Sequence, residues 1–279
     1  MQYRTERYGT DCDRRTQAPK MLMDRTYVVT GAASGIGAAT VRYLRERGGR
    51  VIGSDLHEAE VIADLATNEG RAALAEGVTR LTGGRIDAIV ANAGGGPAET
   101  SLALNFFGAV ATLEGLHSLL ETSPAPRAVV VSSIASLRPP EPALLEACLS
   151  LDEPAATALS SGMISASDGL ALYSTAKHAL NAWCQRAAIA PPWAGAGVPL
   201  NVVALGFFDT PAAAYILSDE TLRAQAAQMT PMRGAFPGRP KEAAAALAWC
   251  VSPENSMMTG QVLFVDGGAE RLARGVRSS

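Results

Sequence analysis

Aromatic residues make up only 5% of this 279-residue chain, charged residues only 18%, and there are just four cysteines and three histidines. Each shortage removes a class of function. Cys12, Cys148, Cys184 and Cys250 are scattered without a C-x-x-C pair, and His57, His117 and His178 do not cluster with them. Neither a zinc site nor a redox disulfide is therefore expected, and no metal. Free thiols of this kind suit a reducing cytoplasm. Lysine and arginine total 24 against 27 aspartates and glutamates, a net charge of -3, and no basic run or stripe occurs. That balance argues against nucleic acid and against an anionic membrane as partners. The apolar stretch 243–251 is far shorter than the roughly 20 residues a membrane-spanning helix needs.

What the chain does have is hydrophobic residues, at 48%, enough for one large core. Residues 1–23 stand apart: Arg4, Glu6, Arg7, Asp11, Asp13, Arg14, Arg15 and Lys20 crowd together with no apolar segment. This predicts a disordered extension and excludes a secretory signal. Residues 24–279 are expected to form a single domain.

Within it, short apolar runs alternate with helical patterns. The runs 27–30, 50–54, 86–91, 128–132, 200–204 and 262–265, with a weaker one at 61–63, read as strands buried on both faces. The segments 36–47, 69–81, 101–120, 172–188, 219–229 and 241–251 read as helices. Such alternation predicts an α/β fold, a Rossmann-type doubly wound parallel sheet of about seven strands. One stretch breaks the rhythm: 134–169 carries Arg-Pro-Pro-Glu-Pro, a helical apolar pattern (Leu144, Leu145, Cys148, Leu149, Leu151) and a Ser/Gly-rich return. It is too long for an ordinary connection and reads as an inserted helical subelement.

Directly after the first strand comes Thr30-Gly31-Ala32-Ala33-Ser34-Gly35-Ile36-Gly37, opening a helix. Gly31 suits the tight turn, Gly35 lets backbone approach a pyrophosphate, and Gly37 lets helix and strand pack closely; the helix N-terminus then faces the phosphates. The second strand ends at Asp55, 24 positions past Gly31, where a carboxylate would bind the adenosine ribose hydroxyls and repel a 2′-phosphate. Ser34 offers no basic group to hold such a phosphate, so NAD(H) is expected over NADP(H).

Tyr173 and Lys177 lie four apart on one helix face. An ammonium beside a phenol favours the phenolate, lowering a pKa of about 10 toward working pH and letting the tyrosine exchange a proton. Taken alone, this pair is a common coincidence. Taken with the glycine loop, Asn92-Ala93-Gly94 after the fourth strand and Ser132-Ser133 ending the fifth, it resembles the short-chain dehydrogenase/reductases, over roughly residues 24–270.

The resemblance implies roles residue by residue. Asn105, Ser133, Tyr173 and Lys177 would be catalytic: Tyr173 moves the proton, Ser133 holds the substrate oxygen, and Lys177 also binds the nicotinamide ribose. Asn105 would fix a water in the relay toward Lys177. Gly31, Ser34, Gly35, Ile36, Gly37, Asp55, Asp64, Leu65, Asn92, Ala93, Gly94 and Thr210, with Tyr173 and Lys177, would bind the cofactor. Asp64 would approach the adenine, flanked by Leu65, and Thr210 the carboxamide.

Three departures are visible. Leu205-Gly206 replaces the family's Pro-Gly, the short interval from Asn92 to Asn105 implies a trimmed helix, and Pro191-Pro192 should end the Tyr173 helix near Ala190. The 40 positions between Ser133 and Tyr173 are many for this family. They resemble the bacterial 3α-hydroxysteroid dehydrogenase/carbonyl reductase subgroup, in which an insertion covers the usual helix–helix interface; a homodimer built elsewhere is expected here too. The expected activity is interconversion of a secondary alcohol and a ketone, with a hydroxysteroid or another bulky apolar carbonyl as the small-molecule substrate. Oxidation of an aromatic, coniferyl-type alcohol and a non-catalytic NAD(H)-sensing role are the alternatives. Phe207, Phe208, Ala212, Tyr215 and Ile216, after the sixth strand, either cover that substrate or form helix core.

Overall fold

The computed structural model describes residues 22–275. The predicted extension 1–23 thus lies outside the described residues except for its last two. Of these, Leu22 is buried in the core and its carbonyl accepts a hydrogen bond from Tyr27 Oη. Leu22 thus packs together with the domain expected from residue 24 onward.

Strands β1 (Thr26–Thr30), β2 (Arg50–Asp55), β3 (Val61–Ile62), β4 (Ala88–Ala91), β5 (Arg127–Ser133), β6 (Leu200–Leu205) and β7 (Val262–Val265) form one sheet in the order β3-β2-β1-β4-β5-β6-β7. Every pair is parallel. Their apolar residues alternate between two cores: Tyr27, Val29, Val51 and Val90 face one side, Val28, Ile52, Ile89 and Val130 the other. Both faces need apolar cover, which is why the strands read as unbroken apolar runs.

Helix α1 (Gly35–Arg45) buries Val41 and Leu44 on one side of the sheet, and α2 (Asn68–Thr82) buries Leu74 and Val78 on the other. The α2 ends are set by chemistry legible in the sequence. Thr67 Oγ1 accepts from Gly70 N, and Gly83 closes the helix in the left-handed conformation.

Residues 98–120 form one run of changing pitch: α3 (Ala98–Leu102), a π-helical turn (Ala103–Gly108), α4 (Ala109–His117) and a 3-10 turn (Ser118–Leu120). The run is long and apolar enough to cross a membrane by composition alone. Its apolar side chains, among them Phe106, Leu113 and Leu116, are spent on the core beneath the sheet. The five-residue α3 is the trimmed helix that the short Asn92–Asn105 interval implies.

The stretch 134–169 holds a 3-10 turn (Ile134–Leu137) and two helices, α5 (Pro142–Leu149) and α6 (Glu153–Ser165). The second helix corrects the expectation of a Ser/Gly-rich return. Asp152 caps it at Ala155 N, and the hydroxyls of Ser160, Ser161 and Ser165 bond back to carbonyls three or four residues earlier, so they do not unwind it. Both helices pack on α7 (Gly169–Ala187), which ends just before the two prolines.

After β6 the predicted helix 219–229 is present as α9 (Glu220–Gln228), preceded by a short helix, α8 (Ala214–Ser218), that the sequence pattern does not mark. The chain closes with α10 (Pro240–Cys250), packed on α1, and α11 (Ala269–Arg274).

Candidate active site

Thr30, Asp55, Ala91 and Ser133 all end parallel strands at one edge of the sheet. The order reverses between β1 and β4, the crevice where doubly wound sheets hold ligands. The glycine loop crosses this crevice. Gly31 and Gly35 have φ of +67° and +51°, which side chains disfavour. At Gly37 a Cβ would overlap the Gly31 carbonyl oxygen, so helix and turn touch through bare backbone.

Asp55 reaches this loop, its Oδ2 accepting from Ala33 N at 2.9 Å. A carboxylate there, with Ala32, Ala33 and Ser34 around it, leaves this end of the crevice without a cation in the loop. Asp64 is exposed and its Oδ1 accepts from Ala66 N, whereas the Leu65 side chain lies in the core.

Asn92 is occupied with the loop: its Nδ2 donates to the Thr30 carbonyl at 3.0 Å, and its N–H donates to Thr30 Oγ1 at 3.0 Å. Ala93 N donates to the same hydroxyl at 3.0 Å. Thr30 is thus a functional support that reading the glycines alone passes over. Its signal is a buried hydroxyl at a strand end immediately before the turn. On the far side, Thr210 closes against the loop, 3.3 Å from where a Cβ of Gly35 would stand. Ser34 precedes α1, and Ile36 packs against the core of α1 and α10.

The chemistry-bearing residues meet around Gly94. A Cβ there would stand 2.8 Å from Asn105 Oδ1 and 3.3 Å from Lys177 Nζ. Asn105 sits in the π-helical turn, fully buried. Its Nδ2 donates to the carbonyls of Gly95 (3.0 Å) and Ser101 (2.8 Å), and its Oδ1 accepts from Gly95 N at 3.0 Å. Both amide hydrogens are therefore used. Only its oxygens remain to hold a water.

Lys177 is 2% exposed and donates from Nζ to the Val131 carbonyl at 3.0 Å, 5.9 Å from the Tyr173 ring centre. Burial without a carboxylate partner pushes the Lys177 ammonium down to about 8. Tyr173, one turn earlier, stays partly open to the crevice. Burial pushes its hydroxyl up, while the Ser133 hydroxyl beside it opposes that shift. The sequence expectation that Lys177 would lower Tyr173 is not met in this geometry: burial raises the hydroxyl, Ser133 alone opposes it, and the Lys177 ammonium is turned toward Val131. Ser133 Oγ also accepts from Ala135 N at 3.1 Å, which holds the serine at the strand end.

Thr210, Pro211, Ala214 and Leu217 line an open cleft of about 520 Å³. Tyr215 is 64% exposed, whereas Phe208 is buried in the core against Gly238, so the core reading holds for Phe208 alone of these two. The described residues contain no group of side chains able to hold a metal ion.

The chain and its fold are similar to those of known proteins. The profile of a family described as enoyl-(acyl carrier protein) reductase matches residues 31–270. A 3-alpha-hydroxysteroid dehydrogenase/carbonyl reductase of Comamonas testosteroni is 35% identical over 263 residues, covering 88% of this chain and 97% of the relative. A cis-4-hydroxycyclohexanecarboxylate dehydrogenase of Sinomonas cyclohexanicum is 31% identical, covering 88% and 96%. The crystal structure of a 3-alpha-hydroxysteroid dehydrogenase from a Pseudomonas species, complexed with NADH, superimposes with a TM-score of 0.79 at 35% identity, covering 89% and 98%.

Proposed function

The chain belongs to the short-chain dehydrogenase/reductase family, nicotinamide-dependent oxidoreductases acting on CH–OH and C=O groups, and we propose that it interconverts a cyclic secondary alcohol and its ketone with NAD(H). The observation that carries this reading is the meeting of Asn105, Lys177 and Gly94 in one crevice, with Tyr173 and Ser133 on its wall.

The residues present fit the cofactor. The bare backbone at Gly31, Gly35 and Gly37 leaves room for phosphates at the start of α1, and Gly94 leaves room beside Lys177. Asp55 would take the adenosine ribose, and the absence of a basic residue at 32–34 favours NAD(H). Gly31, Gly35, Gly37, Asp55 and Lys177 would hold the nicotinamide cofactor, which would supply or take up the hydride of the alcohol–ketone interconversion.

The chain does the rest. Ser133 Oγ holds the substrate oxygen, and Tyr173 delivers a proton to it during reduction or removes one during oxidation. With its pKa raised, Tyr173 is protonated at neutral pH, ready to act as the acid in reduction. Oxidation needs the phenolate and should be favoured by alkaline conditions. Lys177, held by Val131, sits behind Tyr173 as the next group in the proton path, with Asn105 beyond it.

A bulky, apolar ring compound such as a hydroxysteroid suits the open cleft beside Tyr215 and Leu217. A homodimer contacting outside α7 suits the insertion, since α5 and α6 cover that helix and Glu141 N is fastened to Thr175 Oγ1 at 2.9 Å. The buried free thiols of Cys148, Cys184 and Cys250 suit the cytoplasm.

The test is a panel of hydroxysteroids, cyclic alcohols, aromatic primary alcohols and small ketones, followed by NADH absorbance with NAD and NADP compared. Turnover of hydroxysteroids or cyclic alcohols with NAD is the expected result. Preference for aromatic primary alcohols or for NADP contradicts it, and NADH binding without any turnover points to a sensor instead.

A further inference from the structure

Arg71 lies on α2, outside the crevice, yet its guanidinium binds three carbonyl-bearing or acidic parts of the fold beyond its own helix turn. Nε donates to the Leu65 carbonyl at 2.9 Å, Nη2 to the Ala103 carbonyl at 3.1 Å, and Nη1 to Asn68 Oδ1 at 3.1 Å. Glu153, the first residue of α6, receives a fork of two charge-assisted bonds at 2.6 and 2.8 Å. All five N–H donors are used. The Arg71 side chain is only 11% exposed. This planar, two-sided geometry is one that lysine cannot reproduce.

The two carbonyls matter because of where they lie. Leu65 follows Asp64 on the adenine side of the crevice, and Ala103 begins the π-helical turn that carries Asn105. They converge over Gly108, where a Cβ would stand 2.6 Å from the Leu65 oxygen and 3.2 Å from the Ala103 oxygen. A π-helical turn is rare and costly unless its surroundings hold it. Here an external donor grips its first carbonyl, and that donor is itself gripped by the insertion.

We propose that Arg71 and Glu153 form a positioning latch, through which the insertion sets the π-helical turn and thereby the place of Asn105 beside Gly95 and Lys177. The latch rests on the reading of Asn105 as part of the catalytic machinery. Arg71 touches neither substrate nor cofactor in this scheme; it acts through Asn105.

Two measurements on the full chain test it. Hydrogen exchange needs no substrate: in Arg71→Met, amides 103–108 are expected to exchange about tenfold faster or more. Turnover of the best alcohol from the panel is expected to fall about tenfold in kcat, with its KM changed less than about twofold. In an Asn105→Ala background the same substitution should cost less than about twofold, because nothing is left to position. Glu153→Gln, which keeps the arginine and the shape of its partner, should show both effects in smaller degree. Gly108→Ala, which wedges the two carbonyls apart, should reproduce them, and these two variants carry the test if Arg71→Met does not fold. Unchanged exchange overturns the latch, and so do equal losses of turnover with and without Asn105. Turnover that survives Asn105→Ala overturns the catalytic reading of Asn105 instead, and exchange then still decides whether Arg71 holds the turn.

Discussion

Replacing Thr30 by valine changes one oxygen for one methyl at the end of β1. The position is 1% exposed, and valine keeps the volume and the branch at Cβ, so packing and strand preference barely change. What disappears is the acceptor for Asn92 N and Ala93 N, each 3.0 Å away. An N–H left without a partner on burial costs about 1–3 kcal/mol. Asn92 and Ala93 are partly exposed, so water can reach some of the deficit, and the lower end applies: about 2–3 kcal/mol for the pair. Thr30→Ser is the matched control. It keeps the acceptor and loses one methyl, worth about 1 kcal/mol. Urea denaturation of both variants should therefore rank valine below serine in stability. NADH titration should show weaker binding for Thr30→Val by roughly tenfold, since the loop that Asn92 steadies loses its anchor. A serine variant that is the less stable of the two refutes the reasoning, because packing and not the hydroxyl would then support the loop.

Gly37→Ala forces a Cβ into the Gly31 carbonyl and should abolish measurable NADH binding, whereas Gly162→Ala, exposed within α6 with open space around it, should stabilise by about 0.5–1 kcal/mol in thermal melts. Equal behaviour of the two contradicts the close-approach argument. Lys177→Met should stabilise the fold at neutral pH, because the folded Lys177 pKa of about 8 lies below its ordinary 10.5. Below about pH 8 the lysine is charged in both states and the burial penalty is full, about 3 kcal/mol. Between 8 and 10.5 the unfolded chain binds more protons, so wild-type stability rises with pH; above 10.5 the penalty is gone. The wild-type-minus-variant stability difference should narrow across that window, and a flat difference contradicts it.

Most of the fold was legible because buried parallel strands advertise themselves as β-branched apolar runs separated by helical patterns. The spacing put Asp55 at a strand end 24 positions past Gly31, but not the bond its carboxylate accepts from Ala33 N. Three features were not legible, each for a physical reason. The π-helical turn leaves the apolar pattern of 101–120 intact, so Asn105 between Leu104 and Phe106 reads as an ordinary helical position. Serines predict a loop in 160–165 only until their hydroxyls are seen bonded to their own helix. Arg71 reads as a solvated helix residue, since its partner Glu153 is 82 positions away and nothing local announces it. The direction of the Tyr173 shift differs for a related cause: sequence shows the lysine one turn away but neither the burial that raises the hydroxyl nor the Val131 carbonyl that takes the ammonium.

The central claim is that Tyr173 carries the proton in an oxidoreductase crevice built around NAD(H). Tyr173→Phe removes one oxygen while leaving the glycine loop, Asp55 and Lys177 in place. NADH fluorescence titration should give a Kd within about threefold of wild type, and turnover of the panel's best alcohol should fall by at least roughly a hundredfold. Turnover that persists within a few-fold of wild type, with NADH still bound, contradicts the account.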